Sequence, residues 1–319
     1  MKKIPVFFTF DDNFLVPAIV TIYSLLKNTN RQYFYKLYVV YSDLSQVTIN
    51  KLAKVIIPFK DYSSIEFIKV DSELFIWNNL KSKCHYSKEI YNKLIASSLF
   101  PQYDKILCSD VDVVFTGDIS DSYLHYQDHE DFYIAGVNSV FKPLIIEKYV
   151  NFSDKEKEII SKGVGAGYLL MNLKKMREEH LQEKMISFYK ENLYRLIQPE
   201  QDVLNLCSTP YIEYLPYKYL ICVGDYQDYK NKDLIKSDLF FPISTFESAL
   251  KNPVQLHYAG FFKPWNSFFS KKQNIWFQYL FESGSLFDFL KKFPYFMYRR
   301  SKNYSLKRFF HKAYNRFIK

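Results

Sequence analysis

Apolar runs alternate with segments of helical periodicity from residue 4 to residue 115. Ile4–Phe10 is a seven-residue apolar stretch that stops at Asp11-Asp12-Asn13 and reads as a buried strand. Pro17 then opens a helix whose apolar face includes Ile19, Ile22, Tyr23 and Leu26; proline is tolerated in a first turn. Tyr35–Tyr41 predicts a second strand. Ser45–Ile56 predicts a helix with Ser45 as its N-cap, and Ile65–Val70 a third strand. Tyr91–Phe100 has helical spacing, and Lys105–Leu107 leads as a strand into Ser109-Asp110-Val111-Asp112. This alternation predicts βαβ units, hence an α/β protein with a mostly parallel central sheet flanked by helices.

In open sheets of this kind ligands bind past the carboxyl ends of the strands. Asp11–Asn13 and Asp110–Asp112 both fall there. In extended backbone, alternate side chains point to the same side, so Asp110 and Asp112 can converge on one hard divalent cation, Mg²⁺ or Mn²⁺. Taken alone, either acidic cluster is also compatible with a solvated loop.

Glycine is scarce, 8 in 319 residues, well under the usual ~7%. Three glycines nevertheless crowd into Gly163-Val164-Gly165-Ala166-Gly167, ahead of an apolar strand from Tyr168 to Leu173. That density predicts backbone that turns sharply or approaches a ligand closely, against the plainer reading of a flexible loop. Pro199-Glu200-Gln201-Asp202 precedes an apolar helical stretch, Val203–Cys207, and reads as a helix N-terminus with favourable acidic residues. Toward the end of the body, His257 is a candidate metal ligand and Lys263 a candidate partner for phosphate, although a lone histidine is commonly structural.

Composition narrows the class. Apolar residues make up 48% of the chain, which excludes global disorder and leaves ample material for a core. The four cysteines, Cys84, Cys108, Cys207 and Cys222, form no CxxC pair, so reduced thiols are expected rather than a disulfide scaffold or a cysteine-based zinc site. No run of 18 apolar residues occurs, and the apolar start at Ile4 is too short for a signal peptide and has no cleavage site; a cytoplasmic protein is expected.

The formal charge of +9 is unevenly spread. Residues 291–319 hold ten basic side chains, no acidic one and nine Phe or Tyr. The remaining 290 residues are close to neutral, which argues against a nucleic-acid partner for the body. In the tail, Leu306, Phe309, Phe310, Ala313, Tyr314 and Phe317 recur at helical spacing among Lys307, Arg308, Lys312, Arg316 and Lys319. An interfacial helix on an anionic membrane surface fits this pattern; a nucleic-acid patch would use similar residues, and a solvated charged tail is the plainer alternative. The expected organisation is a main domain over 1–270 and an aromatic-basic extension over 271–319, with peripheral attachment to the inner face of the cytoplasmic membrane.

Several segments, in order, carry a family likeness. They are Phe8–Phe14; His85 through Leu94; Lys105–Val113; Ala166–Arg177; Glu200-Gln201-Asp202; and His257-Tyr258-Ala259-Gly260-Phe261-Phe262-Lys263-Pro264-Trp265. Together they resemble the retaining family 8 glycosyltransferases, which include lipooligosaccharide and lipopolysaccharide-core hexosyltransferases and glycogenin. The resemblance implies a GT-A fold and a metal-dependent transfer of glucose or galactose from a UDP-sugar to a lipid-linked or surface glycan.

By position in the family pattern, Thr9, Asp11, Asn13 and Phe14 fall on the uridine side. Asp110, Asp112 and His257 fall on the Mn²⁺ (or Mg²⁺) ligands, with Val111 between the carboxylates. Gly260 and Lys263 fall at the diphosphate, Lys93 at the donor, and Ala166 and Gly167 along the donor site. His85 and Asn138 fall where the hexose or the acceptor is contacted, and Glu200 and Gln201 beside the reacting carbon. Two positions depart from the family: Asn138 stands where many relatives have Asp, and Gly165 where many have Asn, which bears on the identity of the hexose. A sugar nucleotidyltransferase is the enzymatic alternative, but Asp11-Asp12-Asn13 is the wrong chemistry for its Gly/Arg/Lys-rich phosphate loop. A non-catalytic membrane- or nucleic-acid-binding protein is the other alternative.

Overall fold

The computed structural model describes residues 1–70, 88–126, 131–138, 146–230, 240–260, 262–267 and 270–303. His85 and the 306–317 helix expected in the tail lie outside these residues.

The first half builds β1 (Lys3–Thr9), α1 (Leu15–Lys27), β2 (Phe34–Tyr41), α2 (Gln46–Val55), β3 (Ser63–Lys69), α3 (Ala96–Leu99), β4 (Lys105–Ser109), β5 (Val113–Phe115), α4 (Ser120–Leu124) and β6 (Ile134–Asn138). There follow α5 (Asp154–Lys162), β7 (Val164–Asn172), α6 (Leu173–Glu178), α7 (Leu181–Asn192), α8 (Pro199–Ser208), β8 (Ile212–Tyr214), β9 (Ile221–Cys222), α9 (Asp225–Asp228), α10 (Ile243–Lys251), β10 (Gln255–His257), α11 (Gln273–Glu282) and α12 (Leu286–Asn303).

Seven strands form the main sheet in the order β3-β2-β1-β4-β7-β6-β8. All run parallel except β7, which is antiparallel to both β4 and β6. A smaller sheet joins β5, β10 and β9. The main sheet is covered on both faces, which explains its continuous apolar strands. Ile4, Val6 and Phe8 of β1 enter the core shared with Ile19, Ile22 and Leu26 of α1. Phe7 enters the opposite core, with Phe100, Met185 and Val203.

α2 begins where expected: the Ser45 side chain accepts from the Thr48 amide, a cap worth about 1 kcal/mol. α1 differs from its expected single apolar face. Val16 and Val20 pack on its other side, in a third cluster with Trp265, Trp276, Leu280, Phe289 and Phe296. Thus α11 and α12 share their core with α1.

The Tyr91–Phe100 helix is corrected to a 3₁₀ stretch, Lys88–Ile95, followed by the single turn α3. Its local reason is that Thr9 Oγ1 donates to the Glu89 carbonyl, at 2.7 Å, while the Asn92 amide serves Thr9 and the Glu89 carboxylate. The glycine cluster is also strand rather than loop: β7 begins at Val164, ahead of the expected Tyr168.

Candidate active site

The site is built where β4 ends. Val111 is buried in the core, while Asp110 and Asp112 on either side of it stay only partly buried in the turn between β4 and β5. Three bonds hold the turn. Thr21 Oγ1, from inside α1, donates at 2.8 Å to the carbonyl of Val111 or Val113, and the Asp110 amide donates to Gly167 O at 3.1 Å. Gln255 reaches beneath it, with Nε2 2.9 Å from Ser109 Oγ.

His257 arrives from β10, paired with Val113 of β5, while the Tyr258 amide bonds Asp112 O at 2.9 Å. Its Nε2 therefore lies 3.1 Å from Asp112 Oδ1 and 3.7 Å from Asp110 Oδ2. One ligand atom from each of Asp110, Asp112 and His257 falls within 4.8 Å of the others. Two hard oxygens and one imidazole nitrogen suit Mn²⁺ or Mg²⁺. Gly167 makes the fit specific: a Cβ there would meet the His257 ring at 2.9 Å, so only glycine lets β7 pass beneath the imidazole.

Cations already answer the two carboxylates. Lys263 Nζ donates to Asp112 Oδ2 and, at 2.9 Å, to the Tyr258 carbonyl. Lys93 Nζ lies 2.6 Å from Asp110 Oδ1 and 3.0 Å from Ala166 O. Burial opposes the charge on Asp112, but Lys263 and His257 hold its carboxyl well below the usual range. Burial likewise opposes the His257 imidazolium, and Asp112 outweighs it, raising the pKa well above the ordinary value. Lys93 is 1% exposed; burial is the largest influence and opposes its charge, but Asp110 and Glu200 together outweigh it and hold the ammonium cationic.

Glu200 and Gln201 enter from the first turn of α8. Glu200 Oε1 is 4.0 Å from Lys93 Nζ, and burial pushes its carboxyl above the ordinary value. Gln201 is committed at both ends: Oε1 accepts from the Ala166 amide at 3.0 Å, and Nε2 donates to Gln198 Oε1 at 2.7 Å. Asp202 accepts from the Ile197 and Gln198 amides and from the Tyr149 hydroxyl, so it holds the start of α8.

The remaining candidates spread along the same sheet edge. Asp11 Oδ1 accepts from the Asn13 amide at 2.9 Å and caps a short 3₁₀ turn, Asp12–Phe14. Phe14 meets Trp265 edge-on at 6.4 Å, bringing the β1 loop against the loop that carries Lys263. Gly260 has φ +88° with open space around the position of a Cβ. Asn138 stands apart, on β6 with β7 between it and β4. Its amide donates to Lys162 O and Gly163 O, at 2.8 and 2.7 Å.

Thr21, Gln255 and Cys222 were not legible as site residues. Cys222 Sγ lies 4.0 Å from His257 Nδ1, and behind it Asp225 accepts from the Cys222 amide. Burial pushes the Asp225 carboxyl up to about 7. Thr21 and Ser24, two hydroxyls on the mostly apolar helix α1, are the available signal.

Similarity to known proteins accords with this arrangement. The solved LgtC galactosyltransferase, in complex with donor and acceptor sugar analogues, superposes with a TM-score of 0.67 at 21% identity, over 88% of this chain and 96% of that one. The apo bifunctional glycosyltransferase WbbM gives 0.72 at 22% identity, over 91% of this chain, which spans about half (52%) of that larger one. Both show the GT-A fold. A lipopolysaccharide 1,2-glucosyltransferase of Escherichia coli is 23% identical over 260 residues, 80% of this chain and 71% of that protein. The family model described as glycosyl transferase family 8 matches residues 5–268, so the chain belongs to family 8 and is a sugar-transferring enzyme.

Proposed function

We propose that the protein transfers a hexose, galactose or glucose, from a UDP-sugar to a glycan of the lipopolysaccharide type, with a divalent cation and with retention of configuration. The observation that carries this reading is the Asp110–Asp112–His257 cluster with Lys263 beside it at the end of β4 and β10. A divalent cation bound there supplies a Lewis acid for the diphosphate. The acceptor class rests on the lipopolysaccharide 1,2-glucosyltransferase relative.

Breaking the sugar–phosphate bond leaves negative charge on the β-phosphate of UDP. Lys263 offers a fixed cation at the edge of the cluster, where that charge develops. A double displacement would need a free carboxylate on the far face of the sugar. Glu200 is poorly suited, buried and facing Lys93, and Gln201 is an amide committed at both ends. The reading is therefore a front-face displacement. The acceptor oxygen bonds to the anomeric carbon on the face from which UDP departs. The breaking bond's electron pair leaves with the phosphate oxygen, which takes the acceptor's proton.

A screen of UDP-hexoses with Mn²⁺ and no acceptor should show slow hydrolysis of one donor. NMR of the glycoside made from that donor should show an α linkage. No turnover of any UDP-hexose, or a β-linked product, would overturn the reading.

The same proposal includes a membrane surface. Among the described residues no helix is long and apolar enough to cross a membrane. Phe281, Phe287, Leu290 and Tyr298 are nevertheless exposed large apolar side chains on α11 and α12, with Lys291 and Arg299 among them. Anionic headgroups match that mixture, each basic residue contributing ~1 kcal/mol. Since Phe296 is buried in the core with Trp276, a truncation should start at 304 and leave α12 whole. Removal of 304–319 should lower co-sedimentation with anionic liposomes while donor hydrolysis stays intact. Equal sedimentation of the two forms would remove the tail from the proposal.

A further inference from the structure

The inner face of α12 reaches both loops of the donor site. Lys292 Nζ donates to the carbonyl of Asp12, in the turn that Asp11 caps. Two helical turns further on, Arg300 donates to the Asn266 carbonyl at 3.1 Å, and its guanidinium lies 5.7 Å from the Phe262 ring centroid. Asn266 closes the turn that holds Lys263. Its Oδ1 accepts from the Lys263 amide at 3.0 Å, and its own amide donates to the Lys263 carbonyl at 3.1 Å.

One helix is thus tied at two points, one on the nucleoside side of the cleft and one on the phosphate side. The tie between Lys51 of α2 and Asp288, and the packing of Phe289 and Phe296 beside Trp276 and Trp265, fix α12 to the body. An exposed lysine usually ends in water. Lys292 instead spends its charge on a backbone carbonyl, and burial lowers its pKa below the ordinary value. That carbonyl belongs to the turn between β1 and α1, whose Asp12 carboxylate also accepts from the Ser45 amide at 3.1 Å, so Lys292 and the start of α2 hold the turn together.

We infer that Lys292 and Arg300 are positioning residues for the donor: through α12 they set the separation of the Asp11–Phe14 turn from the Phe262–Asn266 turn, and so the fit of the nucleoside diphosphate between them. This rests on the UDP-sugar reading above. Neither side chain is placed on the substrate, so the expected signature is weaker donor binding with the chemical step little changed.

The test uses the full chain with Mn²⁺, measuring UDP affinity by calorimetry, donor KM and kcat, and the thermal unfolding midpoint. Arg300→Ala and Lys292→Met should each raise donor KM and the UDP dissociation constant by about tenfold, the scale of one lost charge-assisted bond. Turnover should stay near wild type, and the unfolding midpoint should fall by only a few degrees, since each bond is also part of the fold. Arg300→Lys keeps a cation beside Asn266 O and Phe262 and should recover part of the affinity. The methionine retains the apolar stem of Lys292, so a folding defect in one variant leaves the other informative. Unchanged donor KM and UDP affinity in both, or a fall in kcat at constant KM, would overturn the inference. If the wild-type chain itself binds no UDP with Mn²⁺, the donor reading fails instead.

Discussion

Asp112→Asn is expected to abolish transfer while the chain stays folded. The carboxylate is one of three groups whose ligand atoms come within 4.8 Å of one another, and an amide is a far poorer ligand for a hard cation. A loss of at least about 10³-fold corresponds to ~4 kcal/mol of transition-state stabilisation. The cost to folding should be smaller, since Lys263 and His257 remain partly solvated and the new amide oxygen can still accept from either.

Asp110→Asn is the less clean variant. It removes the principal counter-charge of Lys93, which is 1% exposed and otherwise has Glu200 at 4.0 Å. Stranding a buried cation costs about 3–5 kcal/mol, so stability and activity would fall together. Calorimetry of Mn²⁺-dependent UDP binding, with thermal unfolding as the control, separates the two variants. Full activity of Asp112→Asn, or of the wild type in EDTA, would remove the metal from the mechanism.

This pair also shows what was legible from residues alone. Asp110 and Asp112 could be found because two carboxylates one residue apart follow an apolar strand, although it is a turn after Ser109, not strand alternation, that places them. The parallel strands β1, β2 and β4 were visible because burial on both faces leaves a continuous apolar run. The small sheet was not visible as a sheet. β9 is two residues long and β5 and β10 three each, too short for any period to emerge, yet the pairing of β10 with β5 is what sets His257 against Asp112.

Distance along the chain hid other contributions. Lys93 carried no mark of burial in the sequence, because a lysine is normally solvent-facing and its partner lies seventeen positions away. The glycine cluster was visible as an anomaly but not as a strand, since the reason for Gly167 is the His257 ring, 90 residues later. Asn138 shows the converse. Its family position suggested contact with sugar, and the structure shows its Nδ2 donating to the two carbonyls that precede β7, a role in the backbone that its sequence neighbours did not signal.

Lys263→Ala separates the two roles that its ammonium could have, because they predict opposite signs. Lys263 is the near partner of Asp112. If its work were only to neutralise that carboxylate, its loss would destabilise the fold and leave the chemistry to the metal. If it answers charge developing on the departing phosphate, turnover should fall by about 10²–10³-fold, the usual cost of removing one preorganised donor. The second outcome is expected.

Metal affinity gives the sharper sign. Lys263 competes with any cation for Asp112 Oδ2, so the alanine variant should bind Mn²⁺ as tightly as wild type or more tightly, even as transfer collapses. Its stability should follow the same logic. With EDTA, Asp112 loses its nearest cation and the unfolding midpoint should drop; with saturating Mn²⁺ a new positive charge replaces it and the midpoint should return toward wild type. Weakened Mn²⁺ binding in Lys263→Ala, or unchanged kcat/KM for the nucleotide sugar, would show that Lys263 shapes the cluster without touching the leaving group.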